Sequence, residues 1–536
     1  MFRRAECYML PLRKKNSLIQ GAAILTIAAI FVKILSAVYR VPFQNIVGDI
    51  GFYIYQQIYP FYGIANALAT YGFPVVISKL IAESAGDGQR RQEVVRLSYY
   101  VTSCTGILLW AAVFFGAGWI ADKMEDPSLR PLLQIVAFSF LLIPFLTVWR
   151  GTFQGEGNMV PTAVSQTVEQ SVRVGAILLF SYILIGKGAS LYTAGAGAFA
   201  GSIAGSLAAL AVLFYFIKKS VSISEKKVKR GNTLAGKEIR MLFIQAAAIC
   251  LSSIGIVLFQ LVDSFNLYSG LIQSGMGEWE AKMAKGIYDR GQPLLQLGTT
   301  AAASLALTVV PLVTSVYRRG LYQELDSCIQ LALKVSFTFG LAATVGLINI
   351  MGEVNTMLFE NGSGSFVLSI FCASILFSSL ALTLTGILQG FDKDFIPALA
   401  VLTGILFKYM GNILFIPRFG TAGAAAATLL SFVWMALFLA AFLRKHWKTA
   451  FLKKEAAGKA VFAVLCMTGV LQVWKLLIGY ILFKEAHSRL IMAGTALSSV
   501  IIGAFVFIYL IFKLKVFTEE ELQQIPFGSR LSKKLS

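Results

Sequence analysis

Apolar stretches of about twenty residues or more alternate with short polar loops along nearly the whole chain. Extended runs of strict apolar–polar alternation are absent, which argues against a membrane β-barrel. Fourteen stretches are long enough to cross a bilayer as helices, at about 18–40, 53–81, 97–120, 131–153, 160–185, 190–217, 241–271, 287–316, 328–351, 365–389, 395–416, 421–443, 457–483 and 490–512. The second is rich in tyrosine and broken by Pro60 and Pro74. The eighth is broken by Pro293 and ended by Pro311. The expected fold is all-α: a polytopic membrane protein of about 14 transmembrane helices, in two pseudo-symmetric six-helix lobes plus two C-terminal helices.

The two lobes are expected from an internal repeat. WRGTFQGEGNMVP (Trp149–Pro161) and LTGILQGFDKDFIP (Leu384–Pro397) share Gly151, Gln154 and Gly155 with Gly386, Gln389 and Gly390 at an offset of 235. Arg173 and Lys408 stand at the same offset, TAGA recurs at Thr193 and Thr421, and Pro74 and Ser78 match Pro311 and Ser315. Parallel repeats of this kind are a transporter architecture, with the site between halves. The expected divisions are an N-terminal lobe over 1–217, a basic linker over 218–240, a C-terminal lobe over 241–444, and two extra spans with a tail over 445–536.

Composition agrees with the pattern. Of the 536 residues, 57% are hydrophobic and only 14% charged, and mean hydropathy is +0.72, outside the range of soluble domains. The formal charge of +20 does not mark a nucleic-acid binder, because the cations gather in loops and tails. With both termini inside, 31 of the 47 lysines and arginines fall on the cytoplasmic side and 8 outside, so both termini are expected in the cytoplasm of a cell-membrane protein. The N-terminal apolar run is too long for a signal core and reads as a retained helix. The six cysteines are scattered with no metal or disulfide spacing, so no metal is expected. With two histidines, His446 and His487, and no Walker lysine motif, GxSxG or HExxH, neither an enzyme nor a cofactor is expected.

The informative residues are charges inside spans, each costing roughly 3 kcal/mol or more at the bilayer centre unless it faces protein or a wet cavity. Lys33 and Arg40 interrupt the first span seven residues apart, about two turns, so both project from one face. Arg290 lies in GIYDRGQPLLQLG (Gly286–Gly298), and Asp263 lies deep in span seven. Arg290 and Asp263 are candidates for a structural pair; equally, Asp263 could bind a coupling ion. Arg173 has Glu169 four residues before it, in the favourable helical order for an ion pair, so self-neutralisation and substrate contact are both open. Lys408 holds the equivalent place without such a partner. Arg150 and Lys334, near helix ends, are expected to snorkel, and Lys475 is given no role.

These motifs, with VKILSAVYRVP (Val32–Pro42) and YDRGQPLLQLG, resemble the multidrug/oligosaccharidyl-lipid/polysaccharide exporter superfamily over essentially the whole chain. Within it the chain is similar to the polysaccharide-transport branch that includes stage V sporulation protein B and is related to the lipid II flippases. The resemblance implies alternating access, an undecaprenyl-linked sugar as substrate, and a cavity in which Lys33, Arg40 and Arg290 hold the pyrophosphate. An arginine pair usual on span two of the lipid II flippases is missing from YPFYGIANAL (Tyr59–Leu68), and span one has Lys33 where arginine is usual. Both departures favour a different or broader lipid-linked glycan. A cation-coupled drug exporter of the same fold would want an acidic or aromatic cavity instead. A third reading is a membrane scaffold for glycan synthesis, its basic loops holding anionic lipid or partners. Expected partners are the lipid-linked glycan, membrane lipids and membrane glycan-synthesis enzymes.

Overall fold

The computed structural model describes residues 12–221, 236–447, 454–481 and 488–524. Most of the basic linker and the ends of both tails lie outside them. The described residues are helical throughout, without a strand. The helices are α1 (Leu12–Val38), α2 (Arg40–Ala67), α3 (Phe73–Glu83), α4 (Gly88–Lys123), α5 (Arg130–Leu141), α6 (Ile143–Gly155), α7 (Val160–Gly186) and α8 (Leu191–Val221). They continue with α9 (Gly236–Ser253), α10 (Gly255–Gln273), α11 (Glu278–Asp289), α12 (Gly291–Leu307), α13 (Val310–Arg318), α14 (Tyr322–Asn349), α15 (Met351–Phe359), α16 (Ser365–Cys372), α17 (Ser374–Gly390) and α18 (Phe395–Trp447). The last three are α19 (Lys454–Ile481), α20 (Arg489–Lys513) and α21 (Glu519–Gln524).

Eleven runs among the described residues are long and apolar enough to cross a membrane, fewer than the fourteen expected. Part of the difference is that two long runs are hairpins. The Tyr39 and Tyr55 hydroxyls are 2.8 Å apart, whereas a straight helix would separate them by roughly 24 Å. The chain turns back at Gly48, whose φ of 71° is left-handed. In α18 the same happens at Gly420, so that Lys408 reaches the carbonyl of Ala424 at 2.9 Å. The expected eighth span is not one rod. It is split into α11, α12 and α13, with breaks at Arg290 and before Pro311. The second is also interrupted, by a π-helical turn over Leu68–Gly72 just before α3.

The repeated motif has a packing reason. A Cβ on Gly151 would lie 3.1 Å from the carbonyl of Pro74, and one on Gly155 would lie 2.7 Å from the carbonyl of Ser78. In the other half, a Cβ on Gly390 would meet Thr314 Oγ1 at 2.2 Å. In both halves the matched glycines allow one helix to touch another that begins with a matched proline, Pro74 in α3 or Pro311 in α13. Helices within residues 12–221 pack mainly on one another, as do those within 236–447. The two bundles meet through α1 and α2 against α10, α11 and α12, and through α3, α4 and the Leu68–Gly72 turn against α9. The helices α19 and α20 pair and lean on α14 and α15. Lys475 helps seat them by pairing with Glu353 at 2.7 Å.

Gly155→Ala should lower the melting temperature, overpacking by about 1–3 kcal/mol. Gly118→Ala, where a Cβ meets nothing within 4 Å, should be neutral or slightly stabilising because alanine is the better helix former. Thermal unfolding in detergent compares the two.

Candidate functional site

Between the bundles lies a cavity of about 200 Å³. Its first wall comes from α1, α2 and α7 and carries Lys33, Arg40, Tyr59 and Arg173. The opposite wall, from α10, α12 and α17, presents amides and hydroxyls, among them Gln260, Gln296 and Ser378. Three cations and no carboxylate line it among the described residues. Lys33 and Arg40 face it together because the junction at Tyr39 keeps helical dihedrals, so the two-turn spacing survives the break. Arg40 is buried, stacks its guanidinium 4.4 Å from the centre of the Tyr59 ring, and donates from Nη1 to Gln296 Oε1 at 3.1 Å. Its Nε has no partner.

Arg290 does not line this cavity. It sits at one end of the bundle interface, where Nε and Nη2 donate to the two carboxylate oxygens of Asp49 at 2.9 and 2.7 Å. Nη1 donates to Asn355 and Asn361, and the side chain is fully buried. Such a bidentate fork between planar groups fixes orientation as well as distance. Asp49 belongs to the first bundle and follows the reversal at Gly48, so the pair ties the two bundles together. The backbones are also in contact there, since a Cβ on Gly286 would lie 2.1 Å from the carbonyl of Asp49. A second tie lies nearby. Buried Asp126 accepts from Tyr53 and Tyr192 and faces Lys282 of the other bundle at 3.4 Å. At the opposite end, Gly72 approaches Cys250 and Ala246, with no ion pair between them.

The carboxylates are also distributed differently from the sequence expectations. Asp263 pairs not with Arg290 but with Lys408, at 2.7 Å, and accepts from Asn412 and Tyr288. Lys408, which has no carboxylate one turn before it, also donates to Thr428 and the carbonyl of Ala424. Glu169 pairs not with Arg173 but with Arg150, at 2.6 Å, and accepts from Ser206. Arg150 is fully buried and does not snorkel. Lys334 does lie near a bundle end, where it pairs with Glu521 of α21. Proximity along a helix misled because Glu169 has a stronger partner on the neighbouring α6. The signal for Asp49 was weaker still, a single carboxylate in a short turn.

Residues 18–316 match the family described as polysaccharide biosynthesis protein. Among curated proteins of Bacillus subtilis, the chain is 43% identical to an uncharacterized membrane protein, YabM, over 97% of both chains. It is 25% identical to lipid II flippase MurJ (80% of this chain, 83% of the other) and 26% identical to stage V sporulation protein B (96% and 99%). A solved structure of lipid II flippase MurJ in an inward closed conformation superposes with a TM-score of 0.68 at 17% identity, covering 92% of this chain and 99% of that one. The chain therefore belongs to the polysaccharide biosynthesis protein family and has the fold of the lipid II flippase. It is a multi-pass membrane protein, and its relatives with an assigned transport role are flippases rather than enzymes.

Two outcomes check the charge pairs. Arg290→Asp should separate the bundles at the Asp49 end, and adding Asp49→Arg should bring them back. Distances between spin labels on the tips of α2 and α11 read both. Lys408→Met leaves Asp263 buried without its cation and should cost about 3–5 kcal/mol. Adding Asp263→Asn should recover most of that in a thermal melt.

Proposed function

We propose that the chain is an alternating-access flippase that carries an undecaprenyl-pyrophosphate-linked sugar, or a peptidoglycan or polysaccharide precursor, across the cell membrane. The observation that carries this reading is the cavity lining: three cations, no carboxylate among the described residues, and a facing wall where neutral amides and hydroxyls alternate with apolar side chains such as Val257 and Phe432. A pyrophosphate is too polar to cross hydrocarbon unaided, and cations in a low-dielectric cleft attract it more strongly than they would in water. Arg40 can offer two parallel donors to phosphate oxygens, and Lys33 acts as a point charge. The opposite amides and hydroxyls suit the hydrogen-bonding groups of a sugar. The lipid chain stays in the bilayer while the head group moves.

With both termini in the cytoplasm, the Asp49 end faces outward. The Arg290–Asp49 pair then serves as an outer latch, which revises the role expected for Arg290 from cavity wall to closure. Opening outward requires both interbundle ion pairs to part. The other end closes by helix contact between α3 and α9, and no ion pair joins these two helices among the described residues. Export of cationic drugs by the same fold is disfavoured by this lining, since a cation entering it would meet three like charges.

The test is translocation of a fluorescent lipid-linked precursor in reconstituted vesicles, scored by accessibility of the label from outside. Arg40→Gln should slow it at least about tenfold, the effect of removing one partner of a desolvated charge pair. Excess cationic drug should not compete. Drug competition with an unaffected Arg40→Gln rate would replace this reading with the exporter.

A further inference from the structure

Four arginines are among the largest fully buried side chains of the protein: Arg40, Arg150, Arg173 and Arg290. They fall into two classes. Arg150 and Arg290 each hold a carboxylate and lie away from the cavity lining. Arg40 and Arg173 line the cavity and have no carboxylate partner among the described residues. An uncompensated buried charge costs several kcal/mol, so a fold does not retain two of them side by side without a counter-charge to receive.

The surroundings of Arg173 are specific. Its Nη2 donates to the hydroxyl of Tyr39 at 2.9 Å and to that of Tyr55 at 3.4 Å, and Nη1 donates to Gln170 at 3.1 Å. Its guanidinium lies 4.3 Å from the ring centre of Tyr62 and 5.9 Å from that of Tyr59. Nε has no partner, as in Arg40. Neutral phenols and ring faces hold such a cation in place at about 2 kcal/mol per desolvated stack but do not cancel its charge. The nearest carboxylate along the helix, Glu169, has both oxygens engaged, by Arg150 and Ser206. Arg40 stacks on the same Tyr59 at 4.4 Å. The two guanidiniums therefore lie within about 10 Å of one another, since they stand 4.4 and 5.9 Å from one ring centre, a gap that a diphosphate can bridge with charge-assisted hydrogen bonds.

We propose that Arg173 is a second guanidinium of the diphosphate site, paired with Arg40 across Tyr59, and that its tyrosine cage exists to keep it charged and unneutralised for the ligand. This rests on the proposed flippase reading and adds to it a residue from the middle of α7. The repeat-related position has the opposite fate: Lys408 is neutralised by Asp263 inside the second bundle. Anion binding is thus confined to one wall. A substrate held there has its phosphates against the first bundle and its sugar toward the amides of the second.

The test uses full-length protein in detergent, with farnesyl diphosphate as probe and farnesol as the uncharged control. Wild type should bind the diphosphate at least about tenfold more tightly than the alcohol, with affinity falling as salt rises. Arg173→Gln should lose about tenfold or more for the diphosphate and nothing for the alcohol. Arg173→Lys, which keeps the charge, should lose less and retain the salt dependence, and it serves as the reading if the glutamine variant does not fold. Wild-type diphosphate affinity in Arg173→Gln, or equal loss for diphosphate and alcohol in either variant, overturns the assignment of Arg173. No diphosphate preference in wild type instead overturns the flippase reading on which it rests.

Discussion

A guanidinium or ammonium surrounded by helices and lipid has two stable arrangements: it holds a carboxylate, or it faces a space where an anion can come to it. Both arrangements occur here, and the architecture follows from how they are distributed. Arg150–Glu169 staples α6 to α7 within the first bundle, and Lys408–Asp263 staples α18 to α10 within the second. Arg290–Asp49 joins the two bundles. Lys285 likewise holds Asp289, both buried in α11, and Arg40, Arg173 and Lys33 are the cations left facing one cavity. The polarity of the interior is set by which cations are left over.

The same distribution separates rigidity from movement. Pairs inside a bundle are fully buried and supported by further donors, such as Asn412 and Tyr288 on Asp263. Breaking them would leave a charge in a medium unable to solvate it. The Arg290–Asp49 pair is buried on one side only, with Asp49 16% exposed at this end of the bundle interface. Ion pairs that must part during a transport cycle belong at such a boundary, where solvent replaces each partner with little net change in free energy. The close backbone approach of Gly286 to Asp49 gives the closed tip a definite geometry.

The cavity carries the asymmetry that the duplicated fold lacks. Packing of α6 on α3 is echoed by packing of α17 on α13, through matched glycines, so the halves share a construction. Their walls do not share a charge. Of the residues at equivalent places, Arg173 is held by neutral partners with no carboxylate among the described residues, and Lys408 is neutralised by Asp263. On the proposed flippase reading, a cleft with one cationic and one neutral wall suits a head group with a dianionic end and a hydroxyl-rich end.

The sequence by itself determined the membrane class, the helical content, the repeat and the pairing of Lys33 with Arg40 on one face. These depend on hydropathy, spacing and helical periodicity, which are local or recur at a fixed offset. It also marked Tyr59 and its neighbours as an unusual tyrosine-rich stretch without revealing their use. Only the tertiary structure decided the partners of the buried charges. Glu169 lies four residues from Arg173 but chooses Arg150, and Asp263 chooses Lys408 over Arg290, because contacts between helices lie far apart along the chain. The number of separate rods was likewise undecided until Gly48 and Gly420 turned two long runs into hairpins. An ion pair forms where three-dimensional packing brings charges together in a dry place, and no one-dimensional spacing encodes that distance.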